Sequence, residues 1–90
     1  MMKWKQLRAG DRVRLIELPQ ADLEAYKSGS KYLQETLDVI QRMIDSGKVL
    51  TVEQVDEYGH PWVGISFVND LGETEEHMLT ITDDDSWIPA

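Results

Sequence analysis

The chain is 90 residues long, with 17 Asp or Glu against 9 Lys or Arg, a formal net charge of −8 and no cysteine. A chain of this length makes one domain near the small end of what folds alone, burying roughly 60–65% of its unfolded surface, with a stability on the order of 5 kcal/mol. Disulfide frameworks and thiolate metal sites are excluded, no apolar run approaches the ~20 residues of a membrane span, and the acidic balance opposes general nucleic-acid binding, which needs cations to displace counterions. The first ten residues lack the apolar stretch of a secretory signal, so a soluble cytosolic chain is expected.

Trp4 and Leu7 precede Ala9-Gly10-Asp11, a turn sequence. Residues 11–18 read as a first strand, with Val13 and Leu15 on one face and Arg12 and Arg14 on the other. Ile16 and Leu18 break the alternation, through a bulge or burial of both faces, and Pro19 ends the ladder. Residues 20–46 then change to helical periodicity. A short helix is expected over 21–27, stopped at Gly29, and a second from a Ser30 cap to Asp45, stopped at Ser46-Gly47. Its apolar stripe, Leu33, Leu37, Ile40 and Ile44, needs a surface to lie on.

Strand signals resume at Lys48. Residues 48–55 are rich in β-branched side chains, and 56–61 form a turn with Gly59 available for positive φ. Residues 62–68 place Val63, Ile65 and Phe67 on one face and Trp62, Gly64, Ser66 and Val68 on the other. A hairpin loop over 69–72 leads to a strand over 73–81 that is polar until Leu79 and Ile81, as at a sheet edge. Residues 82–86 read as a tight turn or one 3₁₀ turn, and Trp87-Ile88 as a short closing strand stopped by Pro89.

Charge is more informative in its arrangement than in its total. Lys3, Lys5, Arg8, Arg12 and Arg14 hold five of the nine basic charges, whereas from Glu53 onward there are ten carboxylates and no Lys or Arg. Opposite charges on neighbouring strands stabilise pairing modestly; alternatively, the acids form a face that attracts a basic partner.

Gly10-Asp11-Arg12-Val13-Arg14-Leu15 is similar to the G-D-x-V-x-[LV] opening of small bacterial SH3-like and KOW-like barrels. Val55-Asp56-Glu57-Tyr58-Gly59 resembles their second strand and hairpin, and Asp85-Ser86-Trp87-Ile88 their last turn and strand. The resemblance implies a mainly β fold, an SH3-like five-stranded antiparallel barrel with a helical insertion between the first and second strands, and one domain over residues 1–90. KOW-type barrels acting on RNA usually carry basic loops, where this chain has acidic ones. Trp62 resembles in position the Trp of peptide-binding SH3 domains, but the aromatic doublet of their first loop is missing.

No nucleophile with a nearby base, glycine-rich phosphate loop or paired-acid motif is present, so no catalytic residue and no cofactor are expected. A helix-turn-helix reading puts only Lys31 and Arg42 against Glu35, Asp38 and Asp45 on its second helix, poor chemistry for a DNA groove. Asp83, Asp84 and Asp85 suit a turn better than a cation cage, and His60 with His77 lacks a third fixed ligand, so no metal is expected. Trp87 reads as core or barrel seam, holding a short closing strand. Trp62 either packs beneath the helical stripe or stands as an amphipathic anchor on an exposed face. The expected function is a non-catalytic protein-interaction module. Its acidic surface at Glu73, Glu75, Asp83 and Asp84, with Tyr58 and Trp62 as apolar anchors, would contact a basic protein partner. The alternative is nucleic-acid or ribosome binding through Lys3, Lys5, Arg8, Arg12 and Arg14.

Overall fold

The computed structural model describes residues 4–29 and 33–90. Five strands, β1 (Arg12–Leu15), β2 (Val49–Val55), β3 (Pro61–Val68), β4 (Thr74–Thr80) and β5 (Trp87–Pro89), form an antiparallel sheet in the order β4-β3-β2-β1-β5. Helices α1 (Gln20–Lys27) and α2 (Leu33–Ser46) fill the connection from β1 to β2, and a 3₁₀ turn, Trp4–Gln6, precedes β1. The fold is mainly β with helical content. Among the described residues, no helix is long and apolar enough to cross a membrane.

β1 is shorter than the expected 11–18 strand. Its ladder ends at Leu15 because the Ile16 and Glu17 amides both turn to the Ser86 carbonyl, at 2.9 and 3.4 Å. Pro19 then stands at the N-cap of α1. This first helix closes with the Ser28 amide on the Glu24 carbonyl, and Gly29 follows at φ +110°. α2 stops where the Gly47 amide reaches the Met43 carbonyl at 3.1 Å, Gly47 adopting φ +64°, which favours glycine. The expected Ser30 cap, with Lys31, lies outside the described residues, as does Lys3 at the chain start.

One core joins sheet and helix. The strands contribute Val13, Leu15, Leu50, Val52, Val63 and Ile65; α2 contributes Val39, Ile40 and Met43; Leu7, Ile81 and Trp87 close the ends. The expected stripe on α2 is therefore corrected. Leu37 and Ile40 are buried as expected, but Val39 and Met43 are buried too, while Leu33 and Ile44 are only partly covered. The reason is that α2 has two neighbours. Val39, Ile40 and Met43 meet the sheet, whereas Ile44 lies beside Leu18 and Leu23 on the α1 side. The Trp4 indole N–H donates to the Ile81 carbonyl at 2.6 Å, tying the described start of the chain to the end of β4.

Ile40 is 5% exposed and sits among the core side chains of both layers. Truncating it removes that burial and leaves a cavity, so Ile40→Ala should cost about 2–4 kcal/mol, read as a lower urea midpoint at unchanged slope. An unchanged midpoint would mean that α2 does not wall the core.

Candidate functional site

The sheet's two faces differ. On β3, Val63 and Ile65 point into the core, while Trp62, Gly64, Ser66 and Val68 face outward, with Thr80, Met78, Glu76 and Thr74 of β4 opposite them. Trp62 is thus on the face away from α2, and its indole N–H donates to Asp56 Oδ2 at 3.0 Å. It does not pack beneath the insert, because the core side of β3 is taken by residues of the other parity.

An open groove of about 460 Å³ crosses this outer face, lined by Lys48, Glu53, Gly64, Ser66, Glu76 and Met78 among others. Gly64 makes it. A Cβ at that position would collide with the Glu53 carboxylate, which lies across the bare backbone. The β2–β3 register shifts between Val52 and Gln54, a bulge at Glu53 that re-aims its side chain. Lys48 Nζ is held by the Ser66 carbonyl at 2.7 Å. Val49, Val68 and Met78 are exposed on this same face, Met78 by 47%. Arg12 and Arg14 stand outward on β1, opposite Thr51 and Val49. The face is therefore basic over β1, while the groove carries Glu53 from β2 and Glu76 from β4, with Lys48 at one wall and apolar side chains beside them.

The other polar cluster lies at the β3–β4 hairpin, on the side facing α2. There His77 stacks on Phe67 with centroids 5.8 Å apart and planes at 13°, and the Arg42 guanidinium lies 4.5 Å from the same ring's centre. Glu75 accepts a bond from Asn69 Nδ2 at 2.9 Å and faces His77 Nε2 at 3.0 Å. The Asn69 and His77 bonds, with the Arg42 charge adding to them, hold the Glu75 carboxyl below its ordinary range. Glu35 of α2 completes a group whose ligand atoms lie within 4.8 Å of one another.

The expected acidic surface is not brought together. Glu73 and Glu75 stand at the hairpin end of β4, and Asp83 and Asp84 follow its opposite end, about 20 Å away at strand rise. Glu75 faces the α2 side. Asp84 organises its own turn, accepting from the Thr82 hydroxyl at 2.9 Å, the Ser86 amide at 3.0 Å and the Ser86 hydroxyl. It also stands close enough to Asp22 of α1 to add to the burial that raises that carboxyl's pKa. Tyr58, 77% exposed, tips the β2–β3 turn, away from Glu73. Of the basic set, Lys5, Arg8, Arg12 and Arg14 are exposed, but the Arg8 guanidinium folds back onto the Lys5 and Leu7 carbonyls, both at 3.1 Å.

Sequence reasoning missed Glu53, Glu76 and Glu35. One signal was available: Glu73, Glu75 and His77 share the parity of Leu79 and Ile81, so the apolar residues of β4 already point those acids toward the covered side. Comparison with protein-family models, with curated proteins and with solved structures finds no match for the chain.

Asp56 shapes the β2–β3 turn through bonds from the Trp62 indole and the Tyr58 and His60 amides, the last two at 2.9 Å. The Trp62 bond above all, then the amides and the His60 charge, pull its pKa down. A carboxyl with a depressed folded pKa contributes fully above its unfolded value of about 3.9, and that contribution fades as pH falls through the folded value. Asp56→Asn should therefore lower the thermal midpoint at neutral pH and flatten its decline as the pH falls below about 4. Parallel midpoint-against-pH curves for the two proteins would contradict this.

Proposed function

We propose that this domain is a non-catalytic protein-interaction module, an SH3-like barrel with a helical insertion, that takes a basic segment of a protein partner on its outer sheet face. The single observation that carries the reading is the groove over Gly64, open to solvent and walled by the Glu53 and Glu76 carboxylates with Met78 beside them. The strand order, with both helices inserted between the first two strands, supports the SH3-like part.

The chemistry follows from the groove's composition. With no Cβ at Gly64, only the flexible Glu53 carboxylate covers the backbone there, and a partner that draws it aside can approach the sheet closely. Two carboxylates on the walls attract a Lys or Arg, and a flexible thioether adapts to the aliphatic stem of either. Val49 and Val68 extend the apolar contact. A stable interface needs on the order of 800 Å² per partner, so the groove is the centre of a larger contact. Rim carboxylates mainly speed encounter, and this contribution weakens as salt shortens the screening length to about 8 Å near physiological strength.

The nucleic-acid alternative rests on one observation, the outward Arg12 and Arg14, neither of which makes an ion pair among the described residues. Against it, Glu53 and Glu76 stand on the same face and repel phosphate. The module reading is the stronger.

A fluorescent array of extended peptides pairing Lys or Arg with Leu or Val, run beside single-stranded RNA, tests it. Peptide association should slow several-fold in the Glu53→Gln, Glu76→Gln double variant at low salt, and the difference should shrink at high salt. Gly64→Val should displace the flexible Glu53 carboxylate, fill the groove and abolish binding while the far-UV spectrum is unchanged. RNA binding that is lost in Arg12→Ala, Arg14→Ala and strengthened by neutralising Glu53 and Glu76 would replace this reading with the alternative.

A further inference from the structure

We propose that Glu35, Glu75 and His77 form a site for one divalent first-row metal ion, which clasps α2 to the edge strand β4. Among the described residues these three bring a ligand atom each to within 4.8 Å of the others. They come from two elements far apart in sequence, a helix and a strand, so the fold rather than local chain geometry assembles them.

The spacing is the main argument. His77 Nε2 and Glu75 Oε1 are 3.0 Å apart. Two donors bound to one ion at about 2.0–2.2 Å, at octahedral or tetrahedral angles, are about 2.8–3.6 Å apart. The hydrogen-bonded pair is thus spaced so that both atoms can bind one ion, which would replace the shared proton and sit to the side of the line between them. Glu35 is exposed, so rotation of its side chain closes the remaining gap.

Both strand ligands are held by neighbours. Phe67 stacks on the imidazole and fixes its plane, and Asn69 Nδ2 binds Glu75 Oε2, leaving Oε1 turned to His77. Such supporting contacts orient ligands and typically matter ten- to a hundredfold in affinity. A cleft of about 220 Å³ beside Glu35, Asp38, Arg42, Phe67 and Glu75 gives an ion its approach and room for a completing water. One imidazole nitrogen with two carboxylates suits Zn²⁺, Co²⁺ or Ni²⁺ better than Ca²⁺, which prefers an all-oxygen shell. Arg42 opposes the ion by charge, yet its guanidinium lies over Phe67 and toward Asp70, 4.0 Å away, rather than on either strand ligand. It weakens the site without filling it.

The test uses the full chain without a polyhistidine tag, titrated with Zn²⁺ by calorimetry and with Co²⁺ by visible absorption. One equivalent should bind saturably and raise the thermal midpoint. His77→Gln and Glu35→Gln should each weaken binding by about tenfold or more, and His60→Gln should leave it unchanged. Metal-free unfolding of each variant establishes that it folds; Glu35→Gln, at an exposed helix position, carries the test should His77→Gln fail to. Absence of saturable binding overturns the proposal. So does binding retained in the folded Glu35→Gln or His77→Gln variant, or lost in His60→Gln.

Discussion

β1 is only four residues long, and the fold depends on its being paired along both edges. Val13 lies opposite Leu50 of β2 and Pro89 of β5, with no exposed surface of its own. Through this strand the first part of the chain is fixed to two segments from the second half, and both helices lie between the paired strands. Closing so long a connection costs little more than closing a short one, because the entropy grows only with the logarithm of length. Ordering the helices is the larger cost. It is offset where Val39, Ile40 and Met43 enter the core that β1 helps to build. The helical segment is thus a wall of the core, not an appendage to a finished sheet.

Part of the acidic charge is used one residue at a time. Asp56, Asn69 and Asp84 each organise a connection by accepting amide hydrogens from residues two to four positions onward. Short side-chain acceptors favour such turns because they replace the backbone partner that a sheet ladder would supply. Two of the three are carboxylates, so part of the net charge is internal turn chemistry. What remains is spread over both helices, the outer face, the hairpin end and the 82–86 turn. A net charge of −8 consequently does not become one acidic surface.

Much of the architecture could be read from residue pattern. The alternation around Val13 and Leu15 and around Val63 and Ile65 gave the correct buried faces, and the large apolar Trp87 on a short last strand is buried as expected. The α2 face was harder. Leu33, Leu37, Ile40 and Ile44 form one regular stripe, but Val39 and Met43 lie roughly 120–160° around the helix from Leu37 at 100° per residue. A stripe drawn by spacing assumes one neighbour, and here the sheet and α1 share the apolar surface. The length of β1 was unreadable for a similar reason, since Ile16 and Glu17 leave the ladder for the Ser86 carbonyl, a partner distant in sequence.

The candidate sites were less readable because both depend on register across strands. Sequence parity placed Gly64 on the Trp62 face of β3, but neither the exposure of that face nor the Glu53 carboxylate across it, which needs the β2 bulge and the β2–β3 register together. On β4, parity correctly paired Glu73 with Glu75 and left Glu76 on the other face. The missing step was polarity, which of the two faces is covered. Leu79 and Ile81 decide it, and they send Glu75 and His77 toward α2 and Glu76 into the groove. Near Ile81 that inner face meets core side chains and is apolar. At the hairpin end it meets Glu35, Asp38 and Arg42 instead, so Phe67, Glu75 and His77 remain half-buried beside polar groups. One face of one strand therefore changes from core to polar cleft along its length. A seven-residue edge strand thus serves two sites, with adjacent residues assigned to opposite sides by a period of two.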